Sequence, residues 1–404
     1  MKILKAKWIL TCDEKFKIHR DKAVVFDEKI EEILKPNEAR EKYPEAEFID
    51  CGDDIAMPAF INTHTHLEFS ANRTHLIYGD FVKWVASIVN AREELSKQAL
   101  ETIIEKEILT MMKSGVATIG EISSFGTEAQ ICAKSPARFV FFNEILGADK
   151  NTIDANIDKF SERFTRSAEL VSDLFIPAVS VHAPYSTHPE ITKFATDFAR
   201  DNELLMSSHF MESNHERDWL KHGKGAFKEW LGAFLPNPKP FYSPKSYIEY
   251  FKGVRTLFTH CVFADFKLFD KKLHSITHCA VSNRLLGRDR LKLTSVIKNG
   301  YLFSIGTDGL SSNISLNFLD ELRANLFVHD GLELSKLARE LLLGATNRAA
   351  KSLDLNLGEL SSGKIADIAV FEGFECDESQ LALQLILQSK NAKSLYIKGK
   401  KCNF

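Results

Sequence analysis

The chain has 404 residues, with 52 lysines and arginines against 55 acidic residues and a net charge of −3, a balance that excludes a strongly basic chain and gives no sign of a nucleic-acid or acidic-membrane partner. Hydrophobic residues make up 44% and charged residues 26%, the profile of a water-soluble protein with room for a large core. No apolar run reaches the ~20 residues a bilayer span needs, and the seven scattered cysteines form no Cys-x-x-Cys pair, so a cytoplasmic protein with reduced thiols and no membrane partner is expected.

In chain order, residues 1–55 read as short strand-like pieces joined by charged turns such as Asp13-Glu-Lys and Asp27-Glu-Lys. An alternation follows. Short apolar, β-branched or aromatic runs are predicted as strands at Ala59–Thr63, Val116–Glu121, Phe139–Ile145, Ile176–His182, Leu204–His209, Thr256–His260, Ser275–Val281 and Tyr301–Gly306. Between them lie helical stretches, predicted at Gln98–Lys113, Asn151–Leu174, Pro189–Arg200, Asn214–Leu235 and Leu316–Phe327. Eight strands alternating with helices is the sequence form of an α/β (β/α)8 TIM barrel, although a doubly wound open sheet fits the alternation too. Residues 344–357 read as a helical link, and 358–404 return to strand-like pieces. The expected organisation is therefore a small β-sandwich domain from 1–55 and 358–404, with the barrel in 56–357.

The strand ends carry the chemistry. The first runs into Asn62-Thr-His-Thr-His66, and side chains two apart in a strand share a face, so His64 and His66 can aim at one point. The fourth ends at His182, the fifth at His209 with Glu212 three residues on, the sixth at His260, and the eighth at Asp308 in Ile-Gly-Thr-Asp-Gly309. In a barrel all these positions lie at the C-terminal mouth, and closure makes the first and last strands neighbours. His64, His66, His209 and Asp308 then form a three-nitrogen, one-oxygen set suited to one divalent metal ion, Zn2+ or Fe2+. Such an ion lowers the pKa of a bound water toward ~7. Glu212 is placed to carry protons and His260 to hydrogen-bond that water. No lysine ends the third or fourth strand, so a carbamylated bridge for two metals has no candidate and a single ion is expected.

The ordered set Pro58-Ala-Phe-Ile-Asn-Thr-His-Thr-His66, His209-Phe-Met-Glu212, Thr259-His-Cys-Val262, His278-Cys-Ala-Val-Ser-Asn283, Gly306-Thr-Asp-Gly309 and Gly363-Lys-Ile-Ala-Asp-Ile-Ala-Val370 resembles the amidohydrolase superfamily, in its mononuclear deaminase branch. The resemblance implies a barrel with a β-sandwich and hydrolytic deamination of an aromatic ring. It also implies metal binding by His64, His66, His209 and Asp308, proton shuttling by Glu212, and water activation by His260 and Asp308. Phe81-Val-Lys-Trp84 and Val181-His-Ala-Pro-Tyr-Ser186 are similar to deaminases of 5′-modified adenosines, but Lys83 stands where S-adenosylhomocysteine/methylthioadenosine deaminases carry a ribose-binding glutamate. His66-Leu-Glu68 with Phe81-x-x-Trp84 looks more like the aminofutalosine deaminases of menaquinone biosynthesis, whose substrate is an adenine nucleoside carrying a benzoate. On that likeness Phe81 and Trp84 wall the base, His182 hydrogen-bonds it, Glu68 takes a polar contact, and Arg73 or Arg138 meets the carboxylate. The partner is then a small-molecule nucleoside, and a homodimer is allowed. Competing readings are other ring deaminases or chlorohydrolases (guanine, cytosine, triazine) and cyclic-amide hydrolases such as imidazolonepropionase.

Overall fold

Eight of the apolar runs become eight neighbouring strands in a computed structural model that describes residues 1–72, 76–91, 97–233 and 235–403. The strands are Phe60–Thr65, Val116–Ser123, Arg138–Ile145, Phe175–Val181, Met206–Phe210, Thr256–His260, His274–His278 and Phe303–Ile305, lying side by side in sequence order. They are buried along nearly their whole length, which explains why they read as continuous apolar runs rather than as alternating patterns. The first and last strands meet. Thr63 Oγ1 lies 2.8 Å from Ser304 Oγ and donates to the Ile305 carbonyl at 3.1 Å, and the Asp308 amide donates to the His64 carbonyl at 3.0 Å. That closure is a (β/α)8 barrel, and it excludes the open-sheet alternative.

Close approach at the seam dictates glycine. A Cβ on Gly306 would sit 2.8 Å from His64 Cβ, and one on Gly309 would sit 2.8 Å from the His66 carbonyl oxygen. Any side chain at either position would push the first strand, and its two imidazoles, out of place.

The predicted helix over 214–235 is two helices, Asn214–His222 and Ala226–Gly232. Gly223 ends the first in the left-handed conformation (φ 60°), its amide donating to the Trp219 carbonyl, and Gly225 (φ 91°) begins the second. The seventh strand stops at His278, and Val281 lies in the next helix, Ala280–Leu286. A helix that the apolar periodicity did not single out, Phe81–Ala91, follows the first strand's loop.

The ends of the chain form their own mixed sheet. Its strands run in the order 400–401, Ala392–Ile397, Ile368–Phe371, Ile55–Pro58, Lys2–Leu10, Ile18–Phe26 and Ile30–Leu34, with Glu47–Asp50 also on Lys2–Leu10. Alternation serves both faces. Leu4, Ala6, Val24, Phe26, Val370 and Tyr396 pack on one side, while Ile3, Ala23, Val25 and Ala39 pack on the other. The strand Ile55–Pro58 belongs to this sheet, three residues beyond the expected boundary at 55. By contacts the chain divides into one unit of Met1–Asn62, Ile108–Ile119 and Leu316–Phe404 and another of Thr63–Glu107 and Gly120–Ser315. Every candidate site residue described below lies in the second unit.

Candidate active site

Four barrel strands end on imidazoles aimed inward. His64 and His66 close the first strand, His182 follows the fourth, His209 sits in the fifth and His260 ends the sixth. The His66 and His209 Nε2 atoms are 3.2 Å apart, and Asp308 Oδ1 lies 3.8 Å from His64 Nε2 and 3.7 Å from His66 Nε2. His64, His66, His209 and Asp308 are each 1–6% exposed.

The outer nitrogens are already occupied, which fixes what the inner ones offer. His209 Nδ1 donates to the His182 carbonyl at 2.9 Å, and His64 Nδ1 lies 3.2 Å from Thr259 Oγ1. With Nδ1 holding the proton, a neutral His209 presents its Nε2 lone pair to the centre. Burial, then the neighbouring His66 and His209 rings, hold His64 well below the usual imidazole range. Burial, with His182 and His66, takes His209 down to about 3. Neutral rings suit a metal. Zinc–nitrogen bonds of ~2.0–2.1 Å place two tetrahedral ligands roughly 3.3 Å apart, close to the observed His66–His209 spacing. The donor set fits a divalent ion.

Two carboxylates in this centre are driven in opposite directions. Burial works against ionisation of Asp308, but His66, His260 and His64 and the Ser282 hydroxyl outweigh it and hold its carboxyl far below the usual range. Its Oδ2 accepts from Ser282 Oγ at 2.7 Å and Ser312 Oγ at 2.8 Å, and its Oδ1 from the Gly309 amide at 2.8 Å. Glu212 is pushed well above the usual range by burial, then by the Asp308 and Glu216 charges. Paired carboxyls with divided pKa values are the arrangement of an acid beside a base. His260 stands between them, its Nε2 3.4 Å from Glu212 Oε1 and 3.9 Å from Asp308 Oδ2. Its Nδ1 donates to Asn283 Oδ1 at 2.8 Å, so Nε2 is the face left to a substrate or water.

Backbone strain is present here. Met211 (φ 53°), His260 (φ 70°), Cys261 (φ 51°) and Asp308 (φ 59°) all take left-handed conformations that cost about 1–3 kcal/mol each in a non-glycine residue. Each ends a barrel strand or follows one within three residues.

Glu216 explains how one of these turns is held. Fully buried on the helix Asn214–His222, it accepts the Met211 amide on Oε1 at 2.9 Å and the Glu212 amide on Oε2 at 2.8 Å. Both oxygens therefore clamp the strained residue and the candidate proton carrier after it. Burial takes its carboxyl up to about 7, against the pull of these amides. Glu216→Gln would turn an amide N–H toward a backbone donor. It is expected to lower kcat roughly ten- to a hundredfold through misplacement of Glu212, with KM little changed and the fold intact by circular dichroism.

The expected substrate residues divide. Phe81 is buried, 5.5 Å from the Trp84 ring, and Trp84 donates its indole N–H to the Ser311 carbonyl at 2.8 Å, which ties helix Phe81–Ala91 to the loop after Asp308. Loss of that bond in Trp84→Phe is expected to raise KM about fivefold with kcat within twofold, measured by steady-state kinetics. His182 is 5.1 Å from the His209 ring, its Nδ1 2.5 Å from Ser186 Oγ. Glu68 is buried with its carboxylate on the Ser124 and Phe125 amides at 3.2 Å, so its oxygens serve the loop after the second strand. Lys83 is exposed. Arg73 lies outside the described residues. Arg138 is not brought to the site. It opens the third strand while Glu144 stands near the mouth end, 4.0 Å from His209 Nδ1, and six extended residues separate them by roughly 20 Å.

Sequence reasoning passed over Asn283, Ser282, Ser312, Glu216 and Glu144, and the aromatic pair Tyr185 and Phe227, whose rings stack at 4.6 Å beside Phe81. Asn283 stood inside a quoted motif and Tyr185 beside His182. Ser282 stood in the same motif as Asn283, and Ser312, Glu216, Glu144 and Phe227 carried no pattern of their own, because their roles depend on contacts between separate segments.

Residues 55–402 match the amidohydrolase family, and the chain belongs to it. It is an enzyme of that family, whose members generally bind a divalent metal. The chain is 39% identical to the aminodeoxyfutalosine deaminase of a Nitratiruptor species, over 99% of this chain and 98% of that protein. It is 37% identical to an adenosine deaminase of Helicobacter pylori, over 99% of both. In three dimensions it superposes on the H. pylori aminofutalosine deaminase in complex with methylthio-coformycin with a TM-score of 0.94, 36% identity and full coverage of both chains.

Proposed function

We propose that the protein hydrolytically deaminates an adenine nucleoside at C6, with aminodeoxyfutalosine as the substrate and menaquinone biosynthesis as the route served. The observation that carries the reaction is the placing of two buried carboxyls on either side of His260 Nε2, Glu212 at 3.4 Å and Asp308 at 3.9 Å, with burial pushing Glu212 up and the surrounding imidazoles holding Asp308 down. The substrate assignment is supported by end-to-end likeness to an aminodeoxyfutalosine deaminase.

The residues divide the work as follows. His64, His66, His209 and Asp308 would hold one divalent ion, Zn2+ or Fe2+, which supplies Lewis acidity and lowers the pKa of a bound water toward ~7. Glu212 donates its proton to ring N1 and draws electron density from C6. Asp308 Oδ2 takes the proton of the attacking water, and His260 Nε2 hydrogen-bonds that water and steadies the developing charge. A C–O bond forms at C6 and the C–N bond to the exocyclic amine breaks. The proton held by Asp308 passes to the amine, which leaves as ammonia, and the hydroxyl at C6 returns a proton to Glu212, so the 6-oxo nucleoside remains and both carboxyls regain their starting forms. Phe81 and Trp84 flank the base and His182 supplies a polar contact.

The deciding experiment incubates the purified protein with aminodeoxyfutalosine, adenosine, methylthioadenosine and S-adenosylhomocysteine and follows ammonia release. Preference for aminodeoxyfutalosine in kcat/KM is expected. Preference for either sulfur nucleoside would move the assignment to that substrate, and inactivity on all four would overturn the adenine reading.

A further inference from the structure

The helix Phe81–Ala91, whose first residue walls the candidate base site, is lightly packed. Among its described side chains only Phe81 and Val82 are buried, and Trp84 to Ile88 are half-buried. Little apolar area leaves the water along it, so polar ties carry a larger share of what holds it in place. Those ties reach segments that follow different barrel strands. The Trp84 indole reaches the Ser311 carbonyl, after the eighth strand, and the Gly79 amide donates to the Leu285 carbonyl at 2.8 Å, after the seventh. His215 Nε2, after the fifth, donates to Asp80 Oδ2 at 2.9 Å.

The bond between Asp80 and His215 joins two working parts. Asp80 opens the helix: its carbonyl accepts the Trp84 amide at 3.0 Å and its Oδ1 accepts the Lys83 amide at 3.1 Å, as an N-cap does. One carboxylate therefore starts the helix with one oxygen and fastens it with the other. His215 stands immediately before Glu216 on the helix Asn214–His222, and Glu216 clamps the Met211 and Glu212 amides. Phe81 and Glu212 line one small cavity together with Ser213, Asn214 and Asn283. The wall follows Asp80 by one residue and the clamp follows His215 by one residue, so the bond sets how Phe81 and Glu212 stand across that cavity. With His215 20% and Asp80 35% exposed, it is partly shielded from the solvent competition that weakens open surface pairs.

We infer that Asp80 and His215 are positioning residues for the nucleoside: their bond holds the first turn of helix Phe81–Ala91 against the helix that carries the Glu216 clamp, and so fixes the apolar wall of the base site relative to the proton carrier. Both act through Phe81 rather than on the reacting atoms. The inference rests on the nucleoside deaminase reading.

The test separates the tie from the cap. In Asp80→Ser the hydroxyl can still accept the Lys83 amide but is too short to reach His215, whereas His215→Ala removes the tie from the other helix and leaves the cap whole. Each is expected to raise KM for aminodeoxyfutalosine about fivefold with kcat within about twofold. The double variant should do no more than either single one, because both remove the same bond. His215→Gln, whose side-chain amide can donate to Asp80 Oδ2, should bring KM back to within about twofold of wild type. A second readout needs no turnover. Hydrogen exchange across residues 81–91 should quicken about fivefold in His215→Ala, although that substitution lies on another helix, and stay at the wild-type rate in His215→Gln. Unchanged KM in both single variants, losses that multiply in the double variant, loss confined to kcat, or no rescue by His215→Gln would overturn the pair's role. So would exchange across 81–91 that ignores His215→Ala. If the wild type turns over no nucleoside, the deaminase reading fails and the exchange measurement decides the tie by itself.

Discussion

Replacing Glu212 by glutamine is expected to lower kcat by about 10²–10⁴-fold, the usual worth of a positioned proton carrier. The amide keeps the shape of the side chain but has no acidic proton to give to a ring nitrogen. Metal content should be unchanged, because Glu212 stands outside the three-histidine, one-aspartate set, and stability should hold, because the substitution removes a carboxyl that burial already drives toward its neutral form. The pH profile gives the sign. A carboxyl whose pKa is raised in the folded enzyme stays protonated at low pH and loses its proton as pH rises, so Glu212 sets an alkaline limb in kcat/KM. That limb should disappear from the residual activity of Glu212→Gln. A variant with near wild-type kcat would refute the assignment.

Stripping divalent ions is expected to abolish turnover, and Zn2+ or Fe2+ should restore it, with whichever gives the higher kcat identifying the working ion. Three buried imidazoles, two of which (His64 and His209) burial drives toward the neutral form, gather around an aspartate held far below the usual carboxylate range, a donor set suited to a cation. Because the unfolded chain lacks this set, an ion at a thousand times its Kd adds about 4 kcal/mol to stability. The stripped protein should therefore melt earlier in calorimetry. His209→Ala should reproduce both losses, and readdition of metal should rescue neither. Full activity in chelator, with no metal found by elemental analysis, would refute the metal centre.

Much of this candidate site was legible in the chain because the first, fourth, fifth, sixth and eighth barrel strands carry a histidine or aspartate at or just past their ends. His64 and His66 advertised themselves by their two-residue spacing, and Asp308 by the glycines on either side. Those glycines are required by contact: Gly306 and Gly309 press against His64 and His66, where no Cβ fits. Arg138 was carried by the resemblance alone: it stands just before the predicted strand Phe139–Ile145, at the end away from the mouth, and strand position by itself argued against it. Glu216, by contrast, was hidden. A glutamate early in a helix reads as a cap, and only the fold turns it back on the Met211 and Glu212 amides.

The amino-acid order alone determined the order of the barrel strands and singled out the candidates for holding a metal and for carrying protons, since these follow from local periodicity and from position along the strands. Tertiary structure decided the rest. Barrel closure sets Asp308 against His64 and drives the Glu212 and Asp308 carboxyls in opposite directions. Folding of the segments after strands one and five sets Asp80 beside His215. Both depend on distances between segments far apart in the chain, and local pattern carries no information about such distances.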